Sequence, residues 1–417
     1  MVAANSNGAT ACSSGRLKAS LRPAYTGLMS VATDDFDHWI REDFVALNTA
    51  LEERYFARDD RASVLGVGDE LKTELCAAGN AHVRRLLAEG NTDEGFDAGF
   101  DLLGNVGLFM AACSRHGVAD PGSRDGGLPE ASALALQLGA SLGVTPRFAT
   151  SHLTTHNRAL MGRYKSFTTL RDELLFTDYN TRGIVAYKAA ADALLRILPL
   201  GVLHPVSADL LEMAKLALSR VITSNERLFE KLDTQRFFYC VRPYFKPHRV
   251  GQHVYRGANA GDFAGINVID MLLGLCRAEH AYYSQLLVDK FLYMMPEDQA
   301  TLRDCMRRRS LMDQFLDLDE SQRRDASCQR NLSLFLEVCQ LHGASAAQHH
   351  DQLVKRFIEA PADELDQEHL AVVTASGPPL PLLMRSLQRL RDLRMAKDRP
   401  DIPSRHEDIQ RLRRNLL

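Results

Sequence analysis

Between residues 237 and 274 the chain reads FFYCVRPYFKPHRVGQHVYRGANAGDFAGINVIDMLLG, and these residue types can bind a small anionic molecule. Arg242 is a fixed cation whose planar fork matches a carboxylate with two parallel hydrogen bonds. The loop Gly257, Ala258, Asn259, Ala260 and Gly261 carries almost no side chains, so its backbone can approach a ligand closely. An apolar helix is expected to start near Asp262, and the free N–H groups of its first turn can hold an anion. Structural roles fit the same residues: Arg242 as half of an interior ion pair, and the loop as a connection capping the next helix.

A second group of residues suits an iron porphyrin. In NLSLFLEVCQLHGASAAQHHDQLVKRFI (331–358), Gly343, Ala344, Ser345, Ala346 and Ala347 precede His349 and His350. Small residues leading to an imidazole leave room for a flat cofactor, and one helical histidine is the usual axial ligand of haem iron. At helical spacing His350 shares a face with Leu336, Cys339, Gly343, Ala347, Val354 and Phe357, and His349 with His342, Ala346, Leu353 and Phe357. Spacing does not choose between the two, and either suits a packing histidine. Other chemistries lack their motifs. No glutamate is followed three residues later by histidine, which removes the di-iron bundle. Gly66-Val67-Gly68 lacks the third glycine and flanking strand of a dinucleotide loop, and H-E-x-x-H is absent.

Helices must position these residues. Phe44, Leu47, Leu51 and Tyr55 repeat at intervals of three and four. The same spacing recurs through 83–87, 102–112, 131–142, 184–200, 210–228, 263–275, 282–293, 332–358 and 380–393. No run alternates with period two for long enough to make a strand. Gly/Pro breaks at 117–127, 143–146, 199–205, 243–261 and 377–381 punctuate the helices. The expected fold is all-α, with a disordered, acid-free tail (1–24), a small N-terminal helical domain (25–135) and a large helical domain (136–417) carrying the candidate residues. The tail shares the basic, Ser-rich composition of an organelle transit peptide but shows little amphipathic helix.

Composition sets the outer limits. The 417 residues are 45% hydrophobic and 25% charged, as in an ordinary globular protein. A net charge of −3 gives no reason to expect nucleic acid as a partner. The apolar run 185–203 is interrupted by Lys188, Asp192 and Arg196, so no membrane partner is expected. The 8 cysteines include no C-x-x-C pair, which fits reduced thiols and a cytoplasmic location. The helix RSLQRLRDLRMAKDR (385–399) suits docking on its own body or on a second subunit, so a monomer or a homodimer is expected.

Five segments carry a family resemblance: LGVTPRFATSHLTTHN (142–157), FFYCVRPYF (237–245), GANAGDFAGINVIDMLLGL (257–275), YMMP (293–296) and HDQLVKRFI (350–358). Their order and spacing resemble the haem-dependent superfamily of indoleamine 2,3-dioxygenase and tryptophan dioxygenase across about 139–390. RPYFKPHRVGQHVYRGANA is most similar to its monodechloroaminopyrrolnitrin synthase branch. The resemblance implies that Arg242 binds a substrate carboxylate and that the loop Gly257, Ala258, Asn259 and Ala260 contacts the substrate. Gly261 then lies against the cofactor, and Thr150, His152 and Tyr187 line the substrate pocket. His350 is implied as the proximal ligand of the haem iron, with His349 as the fallback. Arg249 and Arg256 flank the loop, where they can meet haem propionates. TASGPP (374–379) stands where the dioxygenases have a more flexible Gly/Thr lid, and its two prolines stiffen it. The implied activity is that of a haem b oxygenase using dioxygen on an amino acid with an indole-like side chain. Monooxygenation or oxidative rearrangement in natural-product biosynthesis is the leading expectation. The alternatives are ring cleavage to N-formylkynurenine, as in tryptophan 2,3-dioxygenase, and a non-enzymatic haem- or gas-binding protein.

Overall fold

The computed structural model describes residues 30–90, 95–119, 127–363 and 380–416; the tail 1–24 and the segment 374–379 lie outside the described residues. The fold is 69% helical, as the periodicity predicts. The strands among the described residues form one antiparallel ribbon, His248–Val250 against His253–Tyr255. Three residues a side are too few for a period-two signal to show in sequence.

Apolar residues gather into two cores. The first is built by the helices Val31–Arg41, Asp43–Phe56, Asp69–Glu89, Phe96–Arg115 and Pro129–Leu142, through Phe36, Phe44, Leu75 and Phe109. It also takes in Phe148, Phe167, Phe237, Tyr244 and Phe357, so it reaches well past residue 135. The second packs the helices Arg171–Ile197, Val206–Lys231, Gly265–Leu272 and Ala326–Gln348 through Leu194, Leu211, Leu218, Ile269 and Phe335.

Phe96–Arg115 has the length and hydropathy of a membrane span, yet 78% of its most apolar window is buried inside the protein. It is the central helix of the first core. Its glycines bring the 147–153 segment close: a Cβ on Gly107 would lie 2.2 Å from the backbone nitrogen of Phe148, and one on Gly104 2.6 Å from the His152 ring. The helix Ala326–Gln348 starts where Asp325 accepts the N–H groups of Ser327 and Cys328. It runs without a break into a π-helical segment, His349–Glu359.

One buried ionic network ties the second core together. Asp270 accepts two bonds from Arg394, each 2.8 Å, one from His342 Nε2 at 2.7 Å and one from the Tyr283 hydroxyl at 2.8 Å. Burial alone would raise the Asp270 carboxyl. The Arg394 charge and the hydrogen bonds from His342 and Arg394 outweigh it and hold the group well below the usual carboxylate range. Asp270→Asn would leave Arg394 without its counterion, at an expected cost of about 3–5 kcal/mol. Thermal or urea unfolding checks this. The double variant Asp270→Asn/Arg394→Met should recover part of the loss, because it removes the stranded charge.

Candidate functional site

Arg242 opens a short 3-10 turn, Arg242–Phe245, directly after a π-helical turn, Phe237–Val241. Its guanidinium lies over the Phe238 ring, 5.0 Å from the centroid. It makes no ion pair or hydrogen bond to a described residue, although it is half-buried. Burial lowers its basicity to about 10, with no acid to offset the effect. The interior ion pair that would have been its structural role is therefore missing among the described residues. Lys246, at the end of the same turn, is likewise half-buried and its amine has no acceptor among the described residues.

The glycine loop packs directly on this turn. A Cβ on Gly257 would fall 1.7 Å from the carbonyl oxygen of Phe245, so only glycine fits there. Ala258 is buried, and Asn259, Ala260 and Gly261 are half-exposed. Asn259 Oδ1 accepts the Gly261 N–H at 2.8 Å. Asp262 staples the loop: it accepts from Arg147 at 3.0 Å, from Arg256 at 2.6 Å and from the Asn259 N–H at 3.2 Å. Both arginines also stack on the Tyr293 ring, at 4.6 and 4.1 Å. The following helix starts at Gly265 rather than near Asp262, whose side chain is already engaged in the staple.

Several expected site residues have other work. Arg256 gives one N–H to Asp262 and stacks on Tyr293, so its side chain is held at the loop. Arg249 donates to the Gln252 carbonyl at 3.0 Å across the ribbon turn. His152 is buried with both nitrogens satisfied: the Ala149 N–H donates to Nδ1 at 2.8 Å, and Nε2 donates to the Phe100 carbonyl at 2.8 Å. Stacked 3.9 Å from the Phe100 ring, it packs this segment and has no donor or acceptor left for substrate. Thr150 is different: its buried hydroxyl has no hydrogen-bond partner among the described residues. The Tyr187 hydroxyl donates to Ser345 Oγ at 3.0 Å, joining the Arg171–Ile197 helix to the helix that leads into the histidines.

The two histidines differ in their surroundings. His350 is buried; its Nδ1 donates to Asp351 Oδ1 at 2.8 Å, and Arg391 Nη1 donates to the same oxygen at 3.2 Å. Its Nε2 carries no hydrogen bond to a described residue. A metal-bound imidazole needs this arrangement, one nitrogen oriented by a carboxylate and the other left for the metal. His349 is exposed by area and makes no hydrogen bond to a described residue. Yet burial, with the charges of Arg394, His350 and Lys290, draws its basicity down to about 4. Lys290 and Tyr187 are half-exposed. Burial, then Arg394, brings the Lys290 amine to about 8, and burial raises the Tyr187 hydroxyl.

Lys290 also donates to the Gly261 carbonyl oxygen at 3.4 Å, and its charge acts on His349, which links the loop to the histidine segment. Phe357, on the π-helical segment, packs edge-on against Phe237, just ahead of Arg242, at 6.1 Å. The residues fit a haem. His350 Nε2 has no hydrogen-bond partner among the described residues, a loop of small residues lies beside Lys290, and Arg242 and Lys290 have no acid among the described residues. Sequence reasoning missed Arg147, Lys246, Asp262 as a staple, Lys290 and Arg391. Of these only Lys246 carried a signal, its position four residues after Arg242.

An all-helical body in which a small-residue loop and an unpaired arginine lie near a helical histidine has the build of the dioxygenase superfamily. Within it, the chain belongs to the monodechloroaminopyrrolnitrin synthase (PrnB) family, whose model matches residues 30–416. The chain is therefore an enzyme, a haem-dependent oxygenase of natural-product biosynthesis acting on tryptophan-like substrates. The resemblance read from the five sequence segments is borne out at the level of the family.

Proposed function

We propose that the protein oxidises a free α-amino acid bearing an indole-type side chain, by monooxygenation or oxidative rearrangement, at haem b held by His350. When bound, the haem supplies dioxygen binding and oxidising power. The chain supplies orientation and exclusion of water. Arg242 takes the substrate carboxylate, and its missing counterion is the observation that carries the reading. The Gly257–Gly261 backbone forms the close wall beside it, and Asp262 holds that wall through Arg147 and Arg256. Tyr187 and the unsatisfied Thr150 hydroxyl are the polar groups offered to the rest of the substrate. Lys290, which has no acid partner among the described residues, takes over from Arg249 and Arg256 as the cation for a haem carboxylate. Asp351 and Arg391 orient the His350 ring.

An anaerobic spectral titration of the ferrous protein with tryptophan analogues, followed by mass spectrometry after air is admitted, tests the proposal. A spectral shift confined to free amino acids, followed by a product other than the N-formyl ring-opened compound, is expected. A dioxygenated N-formyl product would instead establish ring cleavage. Haem that binds gas but ignores every amino acid would establish the binding-protein alternative.

A further inference from the structure

Four cations surround the Arg242 turn, and they divide sharply by pairing. Arg115 is neutralised by Glu52 through bonds of 2.7 and 2.8 Å. Arg236 is paired with Glu53 at 2.9 Å. Arg242 and Lys246 have no acid and no hydrogen-bond acceptor among the described residues. They are separated by one short turn, Arg242–Phe245, and each is only half-exposed. Burial, then the charge of Arg242, then that of Arg115, lowers the Lys246 amine to about 8.

Two half-buried cations one turn apart, with no acid among the described residues, raise the energy of the empty protein, and such an arrangement is characteristic of a site that receives an anion. The glycine loop adds a second, independent observation. The Cβ that Gly257 lacks would meet the Phe245 carbonyl oxygen at 1.7 Å and the Lys246 carbonyl carbon at 2.8 Å. The proposed substrate wall thus rests on the backbone of Lys246 itself.

We infer that Lys246 is a second substrate-binding residue, which together with Arg242 forms a two-cation seat for the carboxylate of the amino acid. This rests on the proposed function and narrows its substrate class. A free carboxylate is obligatory, and amides, esters and decarboxylated amines are excluded. Lysine suits the second position because its compact ammonium can approach a carboxylate oxygen outside the plane already taken by the arginine fork.

Calorimetric titration of the purified full-length protein with tryptophan, tryptophan amide and tryptamine tests the inference. Lys246→Gln is expected to weaken tryptophan binding roughly 10- to 100-fold, the value of a charge-assisted contact, and to leave the already weak binding of the amide and amine unchanged. Lys246→Arg should restore most of the loss. Haem absorbance of each variant, recorded first, should match the wild type. Equal affinity of Lys246→Gln and wild type for tryptophan, or equal weakening towards all three ligands, would overturn the two-cation seat. A haem-free wild type that still distinguished acid from amine through Lys246 would keep the seat and sink the haem reading.

Discussion

His350→Ala is expected to purify with less than about a tenth of the wild-type haem, while His349→Ala keeps its full complement. Loss of an outer partner of a ligating histidine already costs about 10–100-fold in metal affinity, and loss of the ligand itself costs at least as much. The two adjacent imidazoles differ in what surrounds them rather than in burial alone. His350 has Nδ1 fixed by Asp351, which Arg391 and Lys355 also engage, each at 3.2 Å. His349 has an open face and nothing to fix its orientation. A ring that turns freely loses conformational entropy on binding iron, whereas a ring already held has lost it on folding. Haem absorbance per protein, measured after identical reconstitution, decides between them. Added imidazole should restore part of the spectrum in His350→Ala, because the cavity left by the side chain admits it. If His349→Ala lost the haem and His350→Ala kept it, the ligand would be His349, and Asp351 would have no part in orienting it.

The same segment shows what the sequence could and could not convey. A spacing of three and four between apolar residues reports helix at Phe44, Leu47, Leu51 and Tyr55, and all four lie on buried or half-buried positions of Asp43–Phe56. That signal made the all-α class legible over the whole chain. Into His349–Glu359, where the backbone bonds step to the fifth residue, most of the face expected for His350 still holds: Cys339, Gly343, Val354 and Phe357 are buried with it. Ala347, placed on the His350 face by periodicity, is half-exposed, whereas Gln348 is buried and tied to Asn225 at 2.9 Å and to the Ile222 carbonyl at 3.0 Å. Arg242 and the Gly257 loop were legible because their chemistry is local: a fixed charge beside residues without side chains. His152 misled because satisfaction of both ring nitrogens comes from Ala149 and from Phe100, the latter far away in the chain. Arg147 and Asp262 meet only in the fold, across 115 residues, so no spacing could have announced their pairing.

Arg242→Met is expected to abolish amino-acid binding while leaving the protein at least as stable as the wild type. The two effects together separate a ligand-binding charge from a structural one. An arginine in an interior ion pair would, on removal, strand its partner acid and destabilise the fold by about 3–5 kcal/mol. Arg242 has no such partner among the described residues, and burial already pulls its basicity down to about 10. A methionine of similar length keeps the contact with Phe238 and removes a charge that the empty protein holds at a cost. Its melting temperature should hold or rise by roughly 1–3 °C. Binding of the carboxylate, by contrast, should fall by about 2–5 kcal/mol, or roughly 30- to 5,000-fold. Arg242→Lys should recover only part of this, since it keeps the charge and loses the planar fork. Calorimetric titration with tryptophan beside thermal unfolding of the same samples gives both quantities. A variant that melted far below the wild type and still bound the amino acid would place Arg242 in the scaffold, and the anionic end of the substrate would have to be held elsewhere.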